Sequence, residues 1–208
     1  MEQRTEEWVQ ARLGKVTASR IADATARTKS GWGASRANYM AELVAERLTG
    51  KQAEGFTSSA MQRGTELEPE ALAAYAFVSD VAVQPVGFVP HPSIAMAGAS
   101  PDGEVGSDGL VEVKCPNTAT HIETLLTGDI DLRYLKQMQW QLACTGRAWC
   151  DFASYDPRLP ERMQLYVQRV YRNAVGIADM EKDIRAFLEE LDGKVAALRS
   201  KYDLPVAA

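Results

Sequence analysis

Apolar and polar residues alternate along the chain with two different periods, and the two periods predict its secondary structure. Apolar residues three or four positions apart indicate helices with one buried face. Apolar residues at every second position indicate strands that are buried on one side. The predicted helices lie at 7–13, 21–26, 35–50, 58–75, 118–126, 132–145 and 177–198, and the predicted strands at 81–89, 94–99, 110–115, 149–155 and 163–171.

Capping residues and helix breakers set the expected ends of the helices. Glycines that can end a helix in the left-handed conformation follow four of them, at Gly14, Gly50, Gly128 and Gly146. Side chains that can begin a helix by accepting a backbone N–H precede three of them, namely Thr17 or Ser19, Ser35, and Ser58 or Ser59. Pro69 falls inside the fourth helix, which we expect it to kink or restart.

The order of these elements predicts the fold class. The first three strands follow one another closely, one of them broken by Pro85, and we expect them to form a β-meander. Helices come before and after the meander, and two more strands and a helix end the chain. This order predicts an α/β fold with a central mixed sheet flanked by helices. At 208 residues the chain is long enough for one substantial core and short for two, so we expect a single domain over 1–208.

The stretch 100–115, SPDGEVGSDGLVEVKC, carries the chemistry on which the functional interpretation depends. In its strand, Glu112 and Lys114 alternate with apolar residues, so a carboxylate and an ammonium share one face. Three glycines lie between Asp102 and Glu112, and they predict a hairpin-like return that brings the two carboxylates together. Two carboxylates, with a strand carbonyl as a third ligand, can bind a hard divalent cation through oxygen.

Lys114 beside such a cation could orient or deprotonate a water molecule and stabilise charge on a pentacovalent phosphate. The alternative is that the Glu-x-Lys pair belongs to the solvated face of an edge strand. The upstream Pro-Asp dipeptide favours catalysis, because Pro-Asp followed by Asp/Glu-x-Lys resembles the signature of the restriction-endonuclease-like nucleases. This likeness implies a restriction-endonuclease-like core.

Net charge and composition limit the classes of protein to which the chain can belong. A net charge of −5 argues against a general nucleic-acid coat, so DNA binding would depend on local basic residues and on metal. The first 36 residues carry seven Lys and Arg against four Asp and Glu, which makes them locally basic. No apolar run approaches the ~20 residues of a membrane span, and no secretory signal is visible. We therefore expect a soluble, cytoplasmic protein that does not bind a membrane.

Cysteine and histidine give no sign of a metal site of their own. An odd number of cysteines at no metal-like spacing predicts reduced thiols in the core: Cys115, Cys144 and Cys150. The two histidines, His91 and His121, are not at ligand spacing either, which makes a histidine-metal nuclease an unfavoured interpretation.

Several further segments resemble the bacteriophage lambda exonuclease, or YqaJ-type viral recombinase, family. They occur in the family's order over about 7–158, before a last strand and helix at 163–202. The matching segments are WVQARLGKVTAS (Trp8 to Ser19), Gly-x-x-x-Glu (Gly64 to Glu68), SPDG, LVEVKCP, YLKQMQWQ (Tyr134 to Gln141) and YDPR (Tyr155 to Arg158). The chain is thereby similar to a metal-dependent 5′-to-3′ exonuclease of phage recombination, which leaves a 3′ single-stranded tail for annealing.

The resemblance implies a two-metal phosphodiester hydrolysis with roles for particular residues. Asp102, Glu112 and the Val113 carbonyl resemble the ligands of Mg²⁺, for which Mn²⁺ would substitute. Glu68 resembles the carboxylate that completes a second metal site, although a solvated acidic helix face is its alternative and Pro69 departs from the lambda pattern. Lys114 resembles the residue that acts on the attacking water, with Gln137 as its polar helper.

The resemblance also implies a way of recognising DNA ends. Arg12, Ser19 and Ser100 resemble a pocket for the 5′-phosphate, and we expect Arg12 and Ser19 to lie close together. Arg12 could instead simply stabilise the end of its helix. Met61 falls where the lambda enzyme uses an apolar wedge to part the terminal base pair, with a core methionine as the alternative.

Partners implied by the family are duplex DNA ends, two further copies of the chain in a ring-shaped homotrimer, and a single-strand annealing recombinase. Two other functions stay open from the sequence. One is an endonuclease or repair nuclease of the same superfamily, because a metal site alone does not choose between an end and an interior phosphate. The other is a catalytically silent DNA-binding protein, which the complete set of Asp102, Glu112 and Lys114 argues against.

Overall fold

A computed structural model describes residues 2–29, 31–53 and 58–203. Its helices are α1 (Glu6–Arg12), α2 (Ile21–Ala24), α3 (Ala34–Thr49), α4 (Ser59–Ser79), α5 (Thr118–Thr127), α6 (Leu132–Thr145) and α7 (Ala174–Lys201). Its strands are β1 (Val16–Thr17), β2 (Arg27–Thr28), β3 (Gly31–Trp32), β4 (Val83–Gln84), β5 (Val89–Pro90), β6 (Ala97–Ala99), β7 (Gly103–Val105), β8 (Gly109–Lys114), β9 (Trp149–Tyr155) and β10 (Leu165–Tyr171). The predicted α/β class is confirmed.

The largest sheet has five strands in the order β10-β9-β8-β7-β4. Its middle strand, β8, pairs in parallel with β9 and antiparallel with β7. The expected hairpin return is the β7–β8 turn, where Gly106 adopts φ 56°, a left-handed conformation that glycine adopts without strain. Because β8 has neighbours on both sides, it is an interior strand and not the edge strand of the solvated-face alternative.

The expected meander is wrong. The stretch predicted as one strand at 81–89 contains two short strands, β4 and β5, and they belong to different sheets. β4 pairs with β7 in the large sheet, whereas β5 and β6 pair with each other in a three-stranded sheet with β1. Pro85, which has no N–H for a sheet ladder, directly follows β4, and this breaks the run between the two sheets.

Helices cover both faces of the large sheet and make a core on each side. On one face, Ala71 and Tyr75 of α4 pack with Val111, Val113 and other sheet residues. On the other face, α2, α3, α6 and α7 pack together against a second set of sheet residues that includes Leu110. The sheet is therefore the central layer of the fold, with α4 on one side and α6 on the side that Glu112 faces.

Helix ends follow the sequence in some places and not in others. Ser58 begins α4 as predicted, and Gly50, Gly128 and Gly146 end α3, α5 and α6 in the left-handed conformation. Ser35 does not cap α3, because that helix already begins at Gly33, which offers no capping side chain. The predicted second helix is only Ile21–Ala24, preceded by a 3-10 turn at Ala18–Arg20, and neither begins with a side-chain cap.

Pro69 does not restart α4, which runs as one helix from Ser59 to Ser79. Leu67, Ala71 and Tyr75 lie one turn apart on either side of the proline and pack into the same core. Tertiary packing of this stripe keeps the helix continuous in spite of the missing N–H. None of the helices within the described ranges is long and apolar enough to cross a membrane.

Candidate active site

Glu112 and Lys114 lie on the face of β8 that α6 covers, as the period of two predicts. The Glu112 side chain is 1% exposed, and that of Lys114 is 22% exposed. Val111 and Val113 point to the opposite face, into the core beneath α4. A buried carboxylate is unlike a solvated surface pair, so the alternative of a solvated face is wrong.

Both carboxylate oxygens of Glu112 accept hydrogen bonds from protein side chains. Lys114 Nζ contacts Oε1 in a very short ion pair, and Gln137 Nε2 donates to the same oxygen at 2.5 Å. Gln141 Nε2 donates to Oε2, also at 2.5 Å. Gln137 and Gln141 are one helical turn apart on α6, so they reach the same carboxylate from one helix face. A buried charge needs such partners, and here both of its oxygens have them.

The side chain of Asp102 forms a hydrogen bond with the backbone of β8, the strand that carries Glu112. Its Oδ2 accepts the Val113 N–H at 2.7 Å. Since the N–H and C=O of one strand residue point to the same side, the Val113 carbonyl also faces Asp102. Burial and the nearby charge of Glu112 raise the pKa of Asp102, and Lys114 opposes them only in part. The half-buried Asp102, the buried Glu112 and the Val113 carbonyl therefore lie together near the end of β8.

Lys114 remains a cation in this arrangement. Burial alone would lower its pKa, but the charges of Glu112 and Asp102 outweigh burial and raise the pKa above its ordinary value. The ammonium also lies 5.0 Å from the centre of the Tyr134 ring, a cation–π contact from α6. The protonated state supports a role in orienting groups and stabilising charge more than a role as a base.

Of the three acids in the middle of α4, only Glu68 acts on this site. Its carboxylate accepts from Arg4 Nη2 at 2.6 Å, and its charge raises the pKa of Asp102. Glu70 accepts from the Tyr155 hydroxyl and Glu66 from Gln62. Within the described ranges, no three His, Cys, Asp or Glu side chains form a ready-made metal site. Glu68 would have to leave Arg4 to join the carboxylates of β7–β8.

Arg12 and Ser100 come together although they are far apart in sequence. Arg12 Nη1 donates to Ser100 Oγ at 3.0 Å, and Trp8 Nε1 donates to the same hydroxyl at 2.9 Å. Arg12 also stacks over the Trp8 ring, 4.0 Å from its centre. Burial lowers the pKa of Arg12, and no described carboxylate forms an ion pair with it. A half-buried guanidinium without a carboxylate partner is suited to an anion from outside.

Ser19 is not part of this contact. It lies exposed in the 3-10 turn, where its hydroxyl is 3.4 Å from that of Thr17. The described hydrogen bonds do not join it to Arg12, and the expected close approach of the two residues stays a prediction. Ser19 is exposed, so a ligand from solvent could reach its hydroxyl beside that of Thr17.

A cleft of about 410 Å³ opens beside Arg12. Trp8, Arg12 and Met61 are among the residues that line it. The Met61 side chain is 59% exposed, so the alternative of a core methionine is wrong. An exposed apolar side chain that lines the cleft beside Arg12 is the arrangement that a wedge against a base pair would need.

Sequence reasoning missed three residues that shape this site. Gln141 holds Glu112, Trp8 holds Ser100, and Arg4 holds Glu68. The four-residue spacing of Gln137 and Gln141 was a usable signal, because it puts both amides on one helix face. The contacts of Trp8 and Arg4 join residues that are 92 and 64 positions apart, for which no local pattern exists.

The cysteines and histidines lie outside the site, as predicted. All three cysteines are buried and free. His121 is fully buried, with Ser154 Oγ on one ring nitrogen and the Met163 carbonyl on the other. His91 is buried and stacks on Trp140 at 4.9 Å between ring centres. Packing and hydrogen bonding within the fold account for these side chains.

A sheet with helices on both faces and acidic residues at a strand end defines a restriction-endonuclease-like fold, the fold of phage-type exonucleases. The chain belongs to the YqaJ-like viral recombinase domain family, whose model matches residues 7–148. No match was found among curated proteins.

Solved structures agree with this family. An alkaline exonuclease from Laribacter hongkongensis, LHK-Exo, is 55% identical over 96% of this chain and 98% of its own, with a TM-score of 0.89. The same enzyme in complex with dAMP matches with a TM-score of 0.90 at 55% identity and the same coverage. A phage-related exonuclease from Haemophilus somnus shares the fold at 15% identity, with a TM-score of 0.70 over 88% of this chain and 96% of that one. These likenesses support a nuclease of the phage recombinase family.

Proposed function

We propose that the chain is a Mg²⁺-dependent exonuclease that degrades one strand of duplex DNA from its 5′ end and leaves a 3′ single-stranded tail for annealing. The observation that carries the proposal is that the residue in contact with Arg12 and the first of the two carboxylates are only two positions apart in the chain. Ser100 accepts from Arg12, which forms no ion pair with a described carboxylate, and Asp102, two residues later, lies beside the buried Glu112. An anion held by Arg12 would therefore lie near the carboxylates, as the terminal phosphate of a substrate must.

The carboxylate cluster fits a hard divalent cation. Burial and the charge of Glu112 raise the pKa of Asp102, so a cation would relieve the same repulsion that a proton otherwise relieves. Asp102, Glu112 and the Val113 carbonyl would hold Mg²⁺ or Mn²⁺ through oxygen. Glu68 would complete a second site after leaving Arg4. Such a cation supplies Lewis-acid activation of the scissile phosphate and of water.

Lys114 and Gln137 would serve the hydrolysis by donating hydrogen bonds. Both already donate to Oε1 of Glu112, so both lie beside the carboxylate that would hold the cation, where water and phosphate oxygens would accept from them. Lys114 is protonated, and its charge would orient the attacking water and stabilise the negative charge that develops on the phosphate. These roles require no proton transfer to the lysine.

Arg12, Ser100 and the exposed Ser19 would bind the 5′-phosphate, and Met61 would stack against the terminal base pair. LHK-Exo was solved with dAMP, which supports a mononucleotide product for the present chain. The proposed partners are DNA ends, two further copies of the chain in a ring, and a single-strand annealing recombinase. The proposed place of action is the cytoplasm of a bacterial host.

One digestion tests the proposal. Duplexes labelled separately at each 5′ and 3′ end are incubated with and without Mg²⁺. We expect early release of labelled mononucleotide from the 5′ end, late release from the 3′ label, and neither reaction in a chelator. Release from the 3′ end first would contradict the polarity. Internal fragments, or cutting of a closed circular duplex, would support an endonuclease, and binding without any cutting would support a silent DNA-binding protein.

A further inference from the structure

The two oxygens of Glu112 have donors of different kinds. Oε1 receives Lys114, which is partly exposed, and Gln137, which is also only partly buried. Oε2 receives Gln141, which is 0% exposed. A donor that reaches solvent can exchange its acceptor for water, whereas a fully buried donor that loses its acceptor stays unsatisfied. The Oε1 contacts are therefore exchangeable, and the Oε2 contact is not.

A second contact, at its oxygen, fixes the orientation of the Gln141 amide. The Cys150 thiol lies 3.9 Å from Gln141 Oε1, within the range of a weak S–H···O contact. A turn of the amide by half a rotation would replace the donor at Glu112 Oε2 with a second acceptor. Such a turn would place two oxygens against each other in a buried site, so the observed orientation is the one that can be satisfied.

We propose that Gln141 is a positioning residue that reserves Oε2 of Glu112 and thereby makes Oε1 the oxygen that takes a divalent cation. The inference rests on the proposed function, because it concerns the cation of that site. When one oxygen of a carboxylate is held by a hydrogen bond, the other oxygen points in a single direction. A cation is then bound at one position and not spread over several. Second partners of this kind set the orientation of metal-binding side chains in general.

The test measures Mn²⁺ binding to the protein without DNA, by titration calorimetry or by the electron paramagnetic resonance of free Mn²⁺. Gln141→Met keeps a similar shape but removes the donor. We expect its Mn²⁺ dissociation constant to rise about ten- to a hundredfold. The matched control is Gln139→Met on the same helix, because Gln139 donates to the Tyr171 carbonyl and accepts from Asn173 N, away from Glu112. We expect the control to bind Mn²⁺ as the wild type does.

Thermal unfolding, measured in the presence of a chelator, distinguishes a positioning role of Gln141 from a purely structural role. Gln141→Met loses a buried hydrogen bond and Gln139→Met loses exposed ones. A purely structural role of Gln141 would lower the unfolding midpoint of its variant and leave the Mn²⁺ affinity of the two variants equal at a temperature where both are folded. If Gln141→Met does not fold, Gln141→Asn, which keeps an amide that is one methylene shorter, carries the same measurement and the same expectation.

The outcomes distinguish this inference from the proposed function. Wild-type affinity in the Gln141 variant, with Mg²⁺-dependent cutting by the wild type, overturns the role of Gln141 and leaves the exonuclease standing. An equal loss of affinity in Gln139→Met also overturns it. A wild-type protein that neither binds Mn²⁺ nor cuts DNA overturns both. A loss confined to the Gln141 variant supports the inference.

Discussion

The carboxylate of Asp102 accepts the backbone N–H of Val113 at 2.7 Å, which joins the residue before β7 to the end of β8. The bond lies where β7 no longer pairs with β8, because their ladder ends at Gly103 and Val111. Asp102 thus takes the place of a strand neighbour beside Val113. The position of the Asp102 carboxylate is consequently fixed by a backbone contact, whereas side-chain donors hold the Glu112 carboxylate.

The first prediction concerns these two carboxylates as the proposed metal ligands. Asp102→Asn keeps the shape of the side chain but removes its charge, and we expect a loss of cutting on the order of a hundredfold or more with either Mg²⁺ or Mn²⁺. In the wild type, Ca²⁺ should support DNA binding without cutting, because it takes more ligands at longer distances. The measurement is single-turnover digestion of an end-labelled duplex in each metal.

Asp108→Asn is the matched control for this experiment. Asp108 lies in the exposed turn of the same hairpin, and its backbone carbonyl, not its side chain, accepts from Ala148 and Trp149. The control should cut at the wild-type rate. Full activity of Asp102→Asn, or wild-type activity after exhaustive chelation, would argue against a carboxylate-held metal.

The second prediction concerns Lys114. Lys114→Ala should lower the single-turnover rate about a hundredfold or more, because the ammonium stabilises charge that develops only during the reaction. DNA binding in Ca²⁺ should change little, since the ligands are carboxylates. Lys136→Ala is the control: Lys136 lies on α6 beside Gln137 but donates to Thr25 Oγ1 at 2.9 Å. Near-normal turnover of Lys114→Ala would remove the lysine from the mechanism.

The sequence predicted those parts of the site that depend on local order. The period of two in β8 placed Glu112 and Lys114 on one face, and the intervening glycines placed Asp102 at the strand end, since both effects act over a few residues. The same reasoning failed for the strands on either side of Pro85. A two-residue strand carries no information about which of two sheets it joins, because its partners are chosen by long-range packing.

Ser35 and Gln141 show two further limits. Ser35 is a good capping residue, but α3 begins two positions earlier at Gly33, so the start is decided by the chain that leads into it from β3. The sequence shows that Gln141 is polar on a helix with an apolar stripe. Its burial against Glu112 depends on how α6 crosses the sheet, and no periodicity along one helix specifies that crossing.

The third prediction concerns stability and pH at Asp156, in the segment that follows β9. The Arg158 guanidinium donates to both of its oxygens, at 2.7 and 2.8 Å, and these bonds hold the pKa of the fully buried Asp156 below its usual range. A folded pKa below the unfolded value of about 3.9 stabilises the fold above that pH. The stabilisation is lost as pH falls from there towards the folded pKa.

Asp156→Asn should therefore lower the free energy of unfolding at neutral pH, and the gap from wild type should narrow below about pH 4. Urea unfolding of both proteins at a series of pH values measures this gap. A gap that stays constant with pH would mean that the carboxylate charge contributes nothing and that only the shape of the side chain matters.

The last prediction concerns Arg12 and the end of the substrate. If Arg12 binds the 5′-phosphate, wild type should degrade a 5′-phosphate duplex faster than a 5′-hydroxyl duplex, by about tenfold to a hundredfold for a charge-assisted contact. Arg12→Ala should lose this preference, because its degradation rate should fall on the 5′-phosphate duplex and stay unchanged on the 5′-hydroxyl duplex. The measurement consists of four initial rates: wild type and Arg12→Ala, each on the 5′-phosphate duplex and on the 5′-hydroxyl duplex.

The alternative is that Arg12 acts on the fold, because it lies in the last turn of α1, where a cation favours the helix dipole. Arg20→Ala separates the two roles, since Arg20 borders the same cleft but is neutralised by Glu42 and Asp23. It should leave the end preference intact. If loss of the guanidinium and loss of the phosphate slow the reaction by independent factors, Arg12 does not contact the phosphate. In that case the proposed polarity loses the contact from which it was inferred, whereas the proposed metal site of Asp102 and Glu112 is unaffected.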